Sequence, residues 1–316
     1  MTRVVLGTRG SALALAQAQL TEEALRRAFP SIETERRIFV TRGDQKLDLS
    51  LLRAGDAGGK GLFTRELEDA LLEGAIDVAV HSLKDLPGHN PPGLAITAVL
   101  ERAPAADVLI TKASGGFDAL PKGACIGTSS IRRARQIQWL RPDLAVAEWR
   151  GNVPTRLRKL ADREDIAGII LAEAGLERLG YIACGGELAF EGHRLFCESL
   201  GARLIPAIGQ GAIALQSRSN RAEITALLRA INHEPTFTCI RAERALQRHL
   251  DGDCAMPVGI RATLSGDRLH LAAILFPANS PQPATAEHEG DASNPEQLGA
   301  ELFEKLAAAC GAVRAS

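Results

Sequence analysis

Aromatic side chains are scarce in this chain: phenylalanine, tryptophan and tyrosine together make up 4%, with a single tyrosine. Few flat surfaces are left on which bases could stack, which makes nucleotides and single-stranded nucleic acid weak candidates for ligands. A net charge of −1 argues against nucleic acid on global grounds as well. The six cysteines (Cys125, Cys184, Cys197, Cys239, Cys254, Cys310) include no C-x-x-C pair. Neither a zinc site nor a disulfide scaffold is suggested, and no metal is expected. No apolar run approaches the roughly 20 residues that cross a bilayer, so no membrane partner is expected. The N-terminal stretch has Arg9 in the middle of its apolar portion, which is not the layout of a secretion signal. A cytoplasmic protein is the expectation.

What remains is ordinary globular material. The chain has 316 residues, 46% apolar and 24% charged, a length that favours two or three domains. "RVVLG" reads as a buried strand, followed by a helix "SALALAQAQLTEEALRRAF" with Ser11 as its N-cap. Strand "RRIFV", helix "GLFTRELEDALLEG" and strand "AIDVAV" repeat the pattern, which is α/β alternation. "RAGDAGGKG", residues 53–61, reads as a mobile loop carrying Lys60. "ERAPAAD" is a crossing point, after which a second alternating series begins. The chain returns through residues 203–218, whose apolar run suits a strand rejoining the first series. One domain inserted into another through two crossings forms a natural hinge. From about residue 220, two helices, two strands and a closing helix read as an α+β tail, and "PANSPQPATAEHEGDASNP" as a loop or hairpin edge.

Between Ser129 and Leu160 stand Arg132, Arg133, Arg135, Arg141, Arg150, Arg156, Arg158 and Lys159, against Asp143 and Glu148. For any single arginine a solvated helix face is a serious alternative. "GTSSIRR", however, follows a strand and opens a helix, so Thr128, Ser129, Ser130 and the free N–H groups of the first turn make an anion-receptive end. Arg132 and Arg133 in that turn oppose the helix dipole unless an anion joins them. "WRGNVPTRLRKL" repeats the arrangement with Arg150 and Arg156. Strand ends of an open α/β sheet face the ligand crevice, and arginine forks match carboxylates. No P-loop spacing is present, which leaves a polycarboxylate as the better ligand class.

"VHSLKDLP", residues 80–87, brings His81, Lys84 and Asp85 off the end of another apolar strand. His81 is read as a packed imidazole. Asp85, beside Lys84 and before Pro87, is suited to stabilise a developing cation inside a cleft. In "DGDCAMPVG", residues 251–259, Cys254 sits in a turn directly after a long basic helix.

In this order along the chain, "TRGSALALAQ", "TRGD", "GGKGLFTRELEDALL", "DVAVHSLKDLP", "IGTSSIRRARQ", "RGNVPTRLRKL", "AGLERLG", "IGQGAIALQ" and "AERALQRHLDGDCAMPVG" resemble the porphobilinogen deaminase (hydroxymethylbilane synthase) family. The resemblance covers nearly the whole chain. It implies two periplasmic-binding-protein-like α/β domains with a hinge, residues 1–100 with 201–219 and residues 101–200, plus a smaller α+β C-terminal domain, 220–316. It further implies a monomeric transferase of tetrapyrrole (haem) biosynthesis, joining four porphobilinogen molecules head to tail with loss of ammonia. The hydroxymethylbilane product would pass to uroporphyrinogen-III synthase. One dipyrromethane cofactor would be held by a thioether to Cys254, a tether rather than a turnover nucleophile.

The resemblance also assigns Asp85 as the catalytic aspartate, holding pyrrole N–H groups and stabilising the azafulvene cation. Arg9, Ser11, Lys84, Thr128, Ser130, Arg132, Arg133, Arg150, Arg156, Arg178 and Gln210 match positions that bind cofactor or substrate, and Lys60 lies in the covering loop. Cofactor and product together carry about twelve carboxylates, which such a density of arginine would accept from water. Asp253 stands where the family usually has a second glycine, and Ala255 replaces a commoner polar residue; a carboxylate beside Cys254 is expected to raise the thiol pKa and slow cofactor attachment. The rival reading is a non-enzymatic, two-lobed anion- or solute-binding module.

Overall fold

The computed structural model describes residues 3–41, 64–181, 186–250, 257–278 and 280–315. Lys60 and Cys254, with Asp253 and Ala255, lie outside the described residues. Three sheets organise the rest.

The first sheet has the order β2-β1-β3-β11-β4, built from β1 (Arg3–Arg9), β2 (Glu33–Phe39), β3 (Val78–Ser82), β4 (Leu94–Val99) and β11 (Ile213–Arg218). Val4, Leu6, Val78, Val80, Ile213 and Leu215 share one core. Helix α1 (Ala12–Ala28) follows β1 directly, and its N-cap Ser11 accepts a hydrogen bond from the Ala14 N–H. Ala14, Gln17, Ala18, Thr21 and Leu25 fall on the buried face at helical spacing, and Arg26 and Arg27 sit in the last turn, where the dipole favours cations. Helix α2 (Arg65–Leu72) buries Leu67 and Leu71 completely.

The second sheet has the order β7-β6-β8-β5-β10-β9, from β5 (Asp107–Thr111), β6 (Cys125–Gly127), β7 (Ala145–Ala147), β8 (Gly168–Ala172), β9 (Glu187–Phe190) and β10 (His193–Ser199). Helices α3 (Ile131–Leu140), α4 (Val153–Asp162) and α5 (Glu173–Arg178) each start just beyond the end of one of its parallel strands, β6, β7 and β8. The β9–β10 hairpin was not anticipated from the sequence. Its turn is made by Glu191 and Gly192 at φ 47° and 84°, the left-handed pair that a two-residue hairpin requires.

Two crossings join these sheets. The chain leaves β4, enters the second sheet at Asp107, and returns as β11, wedged between β3 and β4 and antiparallel to both. The crossings touch, since the Ala103 N–H donates to the Gly211 carbonyl at 3.2 Å. Gly211 has φ 88°, and a Cβ there would lie 2.3 Å from the Ala103 oxygen, so only glycine fits. Elsewhere the two α/β units meet where α5 approaches α1: a methyl group on Gly175 would stand 3.6 Å from Leu13 Cδ2.

The third sheet is the antiparallel meander β12 (Val258–Ser265), β13 (Arg268–Leu275) and β14 (Ala284–Asp291). Helices α7 (Glu234–Leu250) and α8 (Pro295–Ala315) cover it through Leu246, Leu302 and Leu306, while α6 (Ala222–Ala230) packs on the first sheet. The polar stretch read as a loop or hairpin edge contains the full strand β14. Its alternation of exposed and half-buried small and charged residues is that of an edge strand with one wet face, which composition alone hides. Among the described residues no helix is long and apolar enough to cross a membrane.

Candidate active site

Parallel strands β1 and β3 end at the same edge of the first sheet, and β6, β7 and β8 end together in the second. The candidate residues sit on the segments that leave those ends. Arg9 closes β1, and a single 3-10 turn, Leu83–Asp85, follows β3. Arg9 Nη1 stands 3.8 Å from an Asp85 carboxylate oxygen, both side chains being partly open. Lys84, next in line, has an exposed side chain, yet protein surrounds it closely enough that burial pushes its pKa down to about 8. The Arg133 charge adds to that shift, and Asp85 and Asp107 oppose it, which places Lys84 within electrostatic reach of the second sheet.

On that second sheet, Arg132 and Arg133 are buried at 6% exposure each. Both engage Asp107, the first residue of β5, which is fully buried. Arg132 Nη1 meets Oδ2 at 2.8 Å, and Arg133 donates to Oδ1 from Nε at 3.0 Å and from Nη2 at 2.7 Å. The two guanidiniums hold the Asp107 carboxyl well below the usual carboxylate range against the opposing effect of burial. The anion that the helix dipole argument required is therefore supplied in part by the chain itself. Gln210, in the returning crossing, donates from Nε2 to the same Oδ1 at 2.9 Å and to the Ala105 carbonyl at 2.7 Å.

Arg156 and Arg178 extend the cationic lining. Arg156 Nε donates to the Gly151 carbonyl at 2.7 Å, and Arg178 Nη2 to the Gly211 carbonyl at 2.6 Å. Burial pushes both guanidiniums down to about 10; Arg133 and Arg150 push Arg156 the same way, while Glu177 pulls Arg178 back. Arg150 lies against Glu148 at 2.6 Å. The hydroxyls have local work: Ser130 caps α3 by accepting from the Arg133 N–H, Thr128 Oγ1 accepts from the Ser130 N–H, and Ser11 caps α1. Arg135, Arg141 and Arg158 are not part of the crevice lining. Arg135 bonds the Pro277 and Ser280 carbonyls, Arg141 pairs with Asp143, and Arg158 pairs with Glu191.

His81 is packed, as read. Its Nε2 bonds Gln216 Oε1 at 3.1 Å, and burial pushes its pKa down to about 4. Three residues that the sequence reading did not single out organise the site: Asp107, Arg102 and Glu243. The one local signal for Asp107 is an acid opening a strand, "DVLIT", that is otherwise apolar or Thr.

Cations buried against carbonyl oxygens lack a full countercharge, and Arg132 Nε is buried with no hydrogen-bond partner in the described structure. Fold and site thus define a two-lobed α/β protein with buried, incompletely neutralised arginines beside the strand ends. Residues 4–226 match the family model described as porphobilinogen deaminase, dipyromethane cofactor binding domain, and residues 237–308 match porphobilinogen deaminase, C-terminal domain. The chain is 41% identical over 307 residues to porphobilinogen deaminase of Syntrophomonas wolfei, covering 97% of this chain and 95% of that one. It is 44% identical over 303 residues to porphobilinogen deaminase of Desulforudis audaxviator, covering 96% and 94%. Among solved structures it is similar to the periplasmic aliphatic sulphonate binding protein SsuA from Escherichia coli, at TM-score 0.40 and 13% identity, covering 80% of this chain and 71% of that one. The chain belongs to the porphobilinogen deaminase family.

Proposed function

We propose that the chain is a transferase joining four porphobilinogen molecules head to tail, with loss of ammonia, into hydroxymethylbilane. Supporting this is the convergence of Arg132, Arg133, Lys84 and the Arg9–Asp85 pair between two sheets, in a chain of this family. A dipyrromethane cofactor, which Cys254 would hold, would supply the pyrrole end that is extended. Its acetates and propionates suit the donor set, because guanidinium forks take carboxylates in pairs and the buried arginines carry spare positive charge.

Asp85 would serve the reacting ring from the turn that follows β3. A carboxylate fixed in the crevice stabilises the positive charge left when ammonia departs, and Arg9 at 3.8 Å keeps it oriented without closing it off from the ring N–H groups. Arg9, Ser11, Lys84, Thr128, Ser130, Arg132, Arg133, Arg150, Arg156, Arg178 and Gln210 bind cofactor and substrate side chains, Ser11 and Ser130 also capping α1 and α3. Three domains carry these parts: 1–100 with 201–219, 101–200, and 220–316. The working unit is a monomer in the cytoplasm that passes its product to uroporphyrinogen-III synthase.

Intact-mass measurement tests the reading. The purified chain is expected to exceed its polypeptide mass by two pyrrole units, and Cys254→Ser is expected to lose that excess. A bare polypeptide mass in fully active material overturns the covalent tether, and a bare mass together with no release of ammonia from porphobilinogen overturns the whole reading in favour of an anion-binding module.

A further inference from the structure

Arg132 and Arg133 are consecutive on a helix, so their side chains leave the axis about 100° apart. Even so, both reach one buried carboxylate, that of Asp107, Arg132 at Oδ2 and Arg133 at Oδ1, and Gln210 donates to Oδ1 from the returning crossing. The remaining bonds are to backbone: Arg133 Nη1 donates to the Ile170 carbonyl at 3.0 Å and Arg132 Nη1 to the Ile205 carbonyl at 2.7 Å. One carboxylate against two buried guanidiniums leaves a net positive charge where solvent reaches only 6% and 7% of the two side chains. Lys84 stands close enough to feel all three charges.

We propose that Asp107 is a positioning residue, which gathers Arg132, Arg133 and Gln210 into one carboxylate-binding edge and substitutes, before loading, for part of the cofactor's negative charge. This rests on the reading of the two arginines as ligands of the cofactor carboxylates. Without Asp107 the empty edge holds two adjacent like charges with no countercharge, and folding is weakened most in that state. Cofactor carboxylates restore the balance, so the loaded protein tolerates the loss better. A buried network serving only to pin α3 to β5 would be missed equally in both states.

The experiment compares thermal midpoints of apo-protein, made in cells unable to produce porphobilinogen, with the same protein reconstituted with porphobilinogen. For Asp107→Asn the gap between loaded and apo midpoints is expected to exceed the wild-type gap by about 5 °C or more. An unchanged gap, with wild type itself stabilised by loading, overturns the proposal and leaves the arginine reading intact. If instead loading leaves the wild-type midpoint unmoved, and Arg132→Leu loads as wild type does by intact mass, the arginine reading fails. Should Asp107→Asn apo-protein not fold, Asp107→Asn with Arg132→Leu removes one charge of each sign. Soluble apo-protein is then expected, and its failure to appear overturns the proposal.

Discussion

Arg102 and Glu243 form a bidentate ion pair at the junction of all three sheets, Nη1 to Oε1 at 2.7 Å and Nη2 to Oε2 at 3.2 Å. Glu243 is fully buried on α7 and also accepts the Gly209 N–H at 2.7 Å and the Ala262 N–H at 3.0 Å. Arg102 Nε donates to the Gln210 carbonyl at 2.8 Å. Burial alone would lower the Arg102 pKa, but Glu243 raises it above the ordinary value. One pair thus ties both crossings to the C-terminal unit.

Glu243→Gln leaves that guanidinium buried without its countercharge and is expected to cost about 3–5 kcal/mol in guanidinium chloride unfolding. Arg158→Ala, which removes the exposed Arg158–Glu191 pair, is expected to cost less than about 1 kcal/mol. Equal losses in the two variants would refute the distinction.

Asp85→Asn preserves shape and removes the charge. Circular dichroism and cofactor content by mass are expected to match wild type, with turnover down by about 100-fold or more. Full activity in this variant removes Asp85 from the reaction.

The crossings allow no side chain at residue 211. Gly211→Ala places a Cβ against the Ala103 oxygen at a positive φ and is expected to destabilise the protein by about 2 kcal/mol or more, read from the urea midpoint.

Elongation in one crevice requires room, and Leu13 and Gly175 mark where the two α/β units touch. A crosslink between Leu13→Cys and Gly175→Cys is expected to stop growth before the fourth addition, with incomplete adducts visible by intact mass. Four unhindered additions would rule out the hinge.

His81 gives a pH signature. Its folded pKa, about 4, lies below its ordinary 6.5, so as pH falls the unfolded chain takes up the proton first. Stability from this group is therefore unchanged above pH 6.5 and lost between pH 6.5 and 4, by at most about 3 kcal/mol. Asp107, held well below the usual carboxylate range, adds its own loss only at lower pH. Urea midpoints at pH 6.5 and 4.5 are expected to differ less in His81→Gln than in wild type; equal differences would exclude His81 as the source.

Much of the fold is legible in periodicity. The alternating strands and helices, the Ser11 and Ser130 caps and the basic stretch from Arg132 to Arg156 are local patterns, set by side-chain spacing and by the unpaired N–H groups of helix starts. Strand β14 is not legible in that way, because small and charged residues fill its eight positions, and β9 is only four residues long, too short for its alternation to stand out.

The amino-acid sequence alone decided that this chain carries a strongly cationic middle, an Asp85 turn off an apolar strand and a thiol at residue 254. Tertiary structure decided which of these cations gather around Asp107 and which are bonded elsewhere in the scaffold. Arg135, Arg141 and Arg158 look like Arg132 and Arg133 on paper, yet they spend their bonds on Pro277, Asp143 and Glu191. Asp107 stands 26 residues from Arg133, and Glu243 stands 141 residues from Arg102. Nothing local brings such charges together. Exclusion of water from the packed junction makes their pairing obligatory, and only the completed fold excludes it.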